Sequence, residues 1–138
     1  VQSIYVMINE RKRIVELVEG SEYHKWWGQE EFESFVEQPM RLNQYVLMDE
    51  GFATWAFPNE WQVQDYLLEN KFPVSGFDGG GDTVWIVDFI CLQGKSSIAR
   101  MIRHIRNNLV QGGYDKALWL RTETGRLGWY QLKESHNG

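Results

Sequence analysis

The run Val84-Trp85-Ile86-Val87-Asp88-Phe89-Ile90-Cys91 constrains this chain more than any other stretch. It leaves no polar face for solvent, and a short apolar run without helical spacing is expected of a strand buried on both faces at the centre of a sheet. Such a strand must be covered by other elements on each side, so the rest of the chain has to supply them. Asp88 breaks the pattern. An ionised carboxylate left unpaired among apolar neighbours costs on the order of several kcal/mol, so Asp88 must be paired or neutralised. A structural hydrogen bond or ion pair would satisfy it as well as a functional partner would.

The covering elements can be read around that strand. Ile14, Leu17 and Val18 follow helical spacing between Glu10 and Glu19, and Gly20 supplies a stop, which leaves His24 on the turn after the first helix. Glu30 to Met40 carries Phe32, Phe35 and Val36 on one helical face. Gln44 to Met48 reads as a strand, and Glu50-Gly51 turns it into a second, Phe52 to Phe57. Asn59 can cap a helix from Trp61 to Leu68. After the central strand, a helix from about Ser96 to Val110 presents Ile98, Ile102, Ile105 and Leu109 inward and Arg100, Arg103, Arg106 and Asn107 outward. Gly112-Gly113 ends it, and Ala117 to Arg121 with Gly128 to Leu132 form two closing strands around Thr124-Gly125. No repeat or linker divides the sequence. The expected architecture is one domain over residues 1–138, an α/β or α+β sandwich with helices flanking a sheet.

A chain of 138 residues with 43% hydrophobic and 14% aromatic residues can bury a core without staples. The lone Cys91 excludes an internal disulfide, and the three scattered histidines show no zinc spacing. Cys91 itself, within an apolar strand, reads as an inert core residue. Arg11, Lys12 and Arg13 follow the first apolar stretch, the wrong order for a secretory signal, and no apolar run is long enough to span a membrane, so a cytoplasmic protein is expected. A net charge of −5 opposes the electrostatic term that drives nucleic-acid binding. That charge is uneven: acidic residues crowd Glu30 to Glu50, whereas Lys95, Arg100, Arg103, His104 and Arg106 cluster. A basic face on an acidic protein suggests one acidic ligand or partner.

Three features could carry chemistry, Asp88 being the first. His24, inside Ser21-Glu22-Tyr23-His24-Lys25-Trp26-Trp27, is the second. An imidazole titrates near neutrality and suits general-base work, and the flanking aromatics could wall off water, although a packing histidine is the plainer alternative. Third, the central strand runs through Leu92-Gln93-Gly94-Lys95-Ser96-Ser97 into the basic helix, so free backbone N–H groups meet a positive helix end, an arrangement suited to phosphate. The same junction is also ordinary α/β architecture. Glu30-Glu31 and Asp78-Asp82 could be paired carboxylates for hydrolysis, but nothing in the sequence fixes them across a cleft.

Ser21-x-x-His24-Lys25-x-Trp27, then Arg41-x-Asn43-Gln44-Tyr45, then Gly81-Asp82-x-x-Trp85-x-x-Asp88, with Arg121 near the end, resembles the RTX toxin-activating lysine acyltransferases in residues and spacing. The resemblance runs from the first helix through Leu132. It implies a GNAT-like fold and transfer of a fatty-acyl group from acyl carrier protein to the ε-amine of a lysine in a protoxin-like partner. No cofactor is bound permanently on that reading; the acyl-phosphopantetheine of the carrier is the co-substrate. His24 and Asp88 fall on the family's essential pair, His24 as general base assisted by Asp88. Ser21, Asn43 and Gly81 match the pattern and are expected to shape the site. The carrier's phosphate would meet Gln93, Gly94, Lys95 and Ser96, and Lys95, Arg100 and Arg103 would face the acidic carrier protein. Cys91-Leu92-Gln93-Gly94 departs from the family's Pro-Phe-Gly-like turn, which bears on the donor side and on whether a homodimer forms. A non-catalytic GNAT-fold binding module is the alternative, and a small-molecule acetyltransferase using acetyl-CoA fits less well.

Overall fold

The computed structural model describes residues 4–121 and 124–132. It is a mixed α/β structure built on a five-stranded mixed sheet in the order β1-β2-β3-β4-β5. Helix α1 (Ile4–Gly20) leads through a turn to α2 (Gln29–Phe32), a π-helical turn (Glu33–Glu37) and α3 (Gln38–Arg41). Strands β1 (Tyr45–Met48) and β2 (Gly51–Ala56) form a hairpin. Then come α4 (Glu60–Glu69), a 3₁₀ turn (Val74–Asp78), the central β3 (Val84–Cys91), α5 (Lys95–Gln111) and the pair β4 (Lys116–Arg121) and β5 (Arg126–Gln131). All neighbours are antiparallel except β3 and β4, which the α5 crossover makes parallel.

Local chemistry accounts for most boundaries. Asn59 accepts from the Gln62 backbone N–H while the Gln62 side chain accepts from the Asn59 N–H, a reciprocal cap that fixes the start of α4. Pro39 lacks the N–H that an α-helix would send to residue 35, and the π turn lies immediately ahead of it. Buried Gln44 donates from its amide to the carbonyls of both Trp55 and Phe77, tying the hairpin to the 3₁₀ turn.

Both sheet faces are covered. On one, Ile14, Leu17 and Val18 of α1 pack with Val36, Phe52 and Ile90, while Tyr66 of α4 joins Phe72, Phe77, Ala56, Trp85 and Leu120. On the other, Met101, Ile105 and Leu109 of α5 pack on Val46, Ala53, Trp55, Val84 and Ala117.

Two expectations need correction. Helix α1 begins at Ile4, well before Glu10; its first turns carry Ile4, Tyr5 and Ile8 exposed, so no buried stripe announces them. The inner face of α5 is Ser97, Met101, Ile105 and Leu109, whereas Ile98 and Ile102 are only half-buried. The helix is rotated because its Ile98 and Ile102 side borders a cavity instead of the sheet.

Candidate functional site

β3 does not alternate along its whole length. Its ladder with β2 pairs Thr54 with Asp88 but Trp55 with Ile86, so Val87 is an extra residue in a bulge. Before the bulge, Val84 and Ile86 pack with the α5-side cluster and Trp85 and Val87 with the opposite one. Strict alternation would send Asp88 to the α5 side. The bulge instead keeps it on the same face as Val87, where His24 lies, and Phe89 and Ile90 resume the alternation from there.

His24 arrives on the turn that follows α1. Its backbone N–H donates to the Ser21 carbonyl at 3.1 Å, and that of Lys25 to the same carbonyl at 2.9 Å. The turn places Ser21 Oγ 2.6 Å from His24 Nδ1, while His24 Nε2 lies 3.0 Å from Asp88 Oδ1. The His24 and Asp88 side chains are 11% and 14% exposed. An ionised carboxylate can only accept, so the Nε2 proton points at Asp88 and, in the neutral ring, Nδ1 accepts from the Ser21 hydroxyl. The result is a Ser–His–Asp relay joining two distant pieces of the sequence, the turn after α1 and β3.

Aromatic rings hold this relay in place. Trp27 meets the imidazole edge-on at 4.8 Å and stacks on Phe35 at 5.4 Å. Phe35, Phe77, Phe72, Tyr66 and Trp85 continue the series down the same face. Burial, and then the charge of Asp88, push the Tyr66 phenol well above its ordinary range, so it stays protonated. Asp88 Oδ2 is buried without a hydrogen-bond partner, and so is the hydroxyl of Thr54, its cross-strand neighbour. On β2, Phe52 and Ala56 mark the His24 face and Ala53 and Trp55 the other, so Thr54 sits on the same face as Asp88.

The relay stands beside a cavity of about 960 Å³, near the upper end of small-molecule sites. Its lining comes from both faces of the sheet: His24, Trp27, Tyr66, Phe72 and Asp88 from one, Ile86, Phe89, Ile98, Ile102 and Trp119 from the other. This is possible because the sheet opens. β3 and β4 pair only from Val84 to Ile86 against Ala117 to Trp119, although β3 continues to Cys91 and β4 to Arg121. Beyond Ile86 the two strands part, and the cavity passes between them.

The remaining candidates fall elsewhere. Asn43 is an exposed turn residue with φ 57°, a left-handed conformation that asparagine tolerates, and it does not line the cavity. Gly81 lies before β3 and gives its N–H to the Phe57 carbonyl; a Cβ there would collide with the Pro58 carbonyl, so its size serves a close chain crossing. Gln93, Gly94, Lys95 and Ser96 are exposed at the start of α5, where Gly94 (φ 92°) is the N-cap and no side chain caps the helix. Lys95 and Arg103 project to solvent. Arg100 is engaged, its guanidinium 3.1 Å from the buried carboxylate of Glu50. Arg106 and Arg121 reach the cavity instead. Sequence reasoning missed Tyr66, Thr54 and Trp119, which only the tertiary arrangement brings to the site. Among the described residues no helix is long and apolar enough to cross a membrane.

No protein-family model matches this chain, and no curated protein matches it either.

Proposed function

We propose that this protein is a protein-lysine acyltransferase of GNAT-like fold, moving a fatty-acyl group from acyl carrier protein to the ε-amine of a lysine in a partner protein. The observation that carries the proposal is a histidine held between a hydroxyl and a carboxylate at the side of an apolar cavity that threads an opened sheet. The resemblance in Ser21, His24, Gly81 and Asp88 supplies the substrate class.

The chemistry requires a base. A lysine amine has a pKa near 10.4, so only about one in a few thousand is nucleophilic at pH 7. Its nitrogen attacks the thioester carbonyl carbon, an amide bond forms, the carbon–sulfur bond breaks and the pantetheine thiol leaves. The proton lost by the amine is taken by His24, which lines the cavity, and then passes to the departing sulfur. Asp88 holds the imidazolium formed between these steps, a role that typically contributes about 10² to 10⁴ in rate together with the base. The uncapped N-terminus of α5, with Gln93, Gly94, Lys95 and Ser96, would take the phosphate of the carrier's prosthetic group, and Lys95 and Arg103 its acidic surface. Arg100 contributes less there because Glu50 already neutralises it.

One observation favours the non-catalytic binding module: both imidazole nitrogens already have partners. The two readings separate in one experiment. Acyl carrier protein charged with a labelled fatty acid is incubated with wild type or His24→Ala and candidate lysine-bearing proteins. Discharge by wild type, reduced about 10²-fold or more in the variant, supports the enzyme. Binding of the carrier without discharge by folded wild type supports the module.

A further inference from the structure

Trp119 and Gly128 are partners on the β4–β5 ladder. Trp119 also pairs with Ile86 in the last rung joining β3 to β4, so it stands where the gap between those strands closes. It shares the α5 side with Ile86, and its indole is laid over Gly128 so closely that a Cβ there would come within 2.6 Å of Cζ2 and Nε1. Any side chain at residue 128 would therefore lift the indole off the strand, toward Ile98 and Ile102 across the cavity.

From this placement we infer that Trp119, held back by Gly128, sets the length of hydrocarbon chain that the cavity accepts. The inference rests on the proposed acyl transfer, which puts a thioester beside Asp88 in the gap. A chain entering there between β3 and β4 lies between Val87 and Phe89, which flank Asp88, and meets the indole at the closing rung two residues along β3. Its surroundings on the α5 side include Ile86, Phe89, Ile98, Ile102 and Leu132, a lining suited to methylenes, with Arg106 the cation beside them.

The test reads direct binding of saturated fatty acids of increasing length, by calorimetry, to wild type, Trp119→Ala, Trp119→Phe and Gly128→Ala. Affinity should climb by about fourfold per buried methylene and then level off. Trp119→Ala should move the levelling-off to longer chains, with a gain of about sixteenfold for the longest if two further methylenes are buried. Gly128→Ala should move it to shorter ones, and Trp119→Phe should fall between wild type and Trp119→Ala. Because Gly128→Ala alters an edge strand, the Trp119 variants decide the matter: an unchanged length profile in folded Trp119→Ala overturns the inference, as does wild type that binds no fatty acid. An unchanged profile in a protein that still discharges acyl carrier defeats the length gauge alone. A shifted profile in a protein that discharges no carrier defeats the acyl-transfer reading and leaves the gauge standing.

Discussion

The two halves of β3 differ in what surrounds them. From Val84 to Ile86 the strand is paired with β4, and at Trp85 and Ile86 with β2 as well, and it is packed on both faces, with Val84 and Trp85 buried. From Val87 to Cys91 it is paired with β2 alone, carries the bulge, and borders the cavity through Val87, Asp88 and Phe89. The first half holds the sheet together. The second gives up a row of neighbours and gains a space beside a charged residue. On the proposed function, the chain would separate stability from chemistry along a single strand, with the dividing line between Ile86 and Asp88.

The sharpest way to break that comparison is to substitute both halves and read both properties. Asp88→Asn should lower the proposed acyl transfer by about 10²- to 10⁴-fold, with the unfolding midpoint little changed. Trp85→Ala should cost about 3 to 5 kcal/mol of stability in denaturant unfolding. An Asp88→Asn protein that unfolds as readily as Trp85→Ala would erase the distinction.

Tyr66 sharpens it at high pH. Its proton is bound more tightly in the folded protein than in the unfolded chain, whose ordinary value is 10.0. Folded protein therefore holds more protons above that pH, and the stabilisation, complete below it, is lost as pH rises. Tyr66→Phe should flatten the alkaline fall of the unfolding midpoint; an identical fall in both proteins would show that the phenol is not its source.

The smallest effect is expected at Thr54. Its buried hydroxyl has no partner, so Thr54→Val should be neutral or stabilising by up to about 1 kcal/mol in thermal unfolding. Destabilisation beyond that would mean that the hydroxyl serves Asp88.

Much of this was legible in the residues. The limits of β3 follow from a run apolar on both faces, the start of α4 from Asn59, and the buried stripe of α1 from Ile14, Leu17 and Val18. The anomaly of Asp88 pointed to a partner, and the flanking aromatics of His24 pointed to a wall. What could not be read depends on pairing between distant segments. The bulge at Val87 changes which face Asp88 occupies without leaving a mark in composition. The parting of β3 and β4 rotates α5, exchanging Ile98 and Ile102 for Ser97 and Met101 in the core. Ser21 entered through resemblance alone, since a serine three residues before a histidine has no meaning until the turn closes. Asn43 and Gly81, matched by the same resemblance, turn out to shape the chain away from the cavity.

A passage through a sheet differs from a pocket on one side of it. A pocket makes its visitors queue, because whatever enters second must wait for the first to leave or squeeze past it. A space lined from both faces would let the hydrocarbon chain lie on the α5 side while the side of Tyr23, Trp26 and His24 is left for the molecule that receives the group. For a protein proposed to hand a group from one macromolecule to another, the split between β3 and β4 would let both be present together, so that the handover takes place inside the wall that separates them.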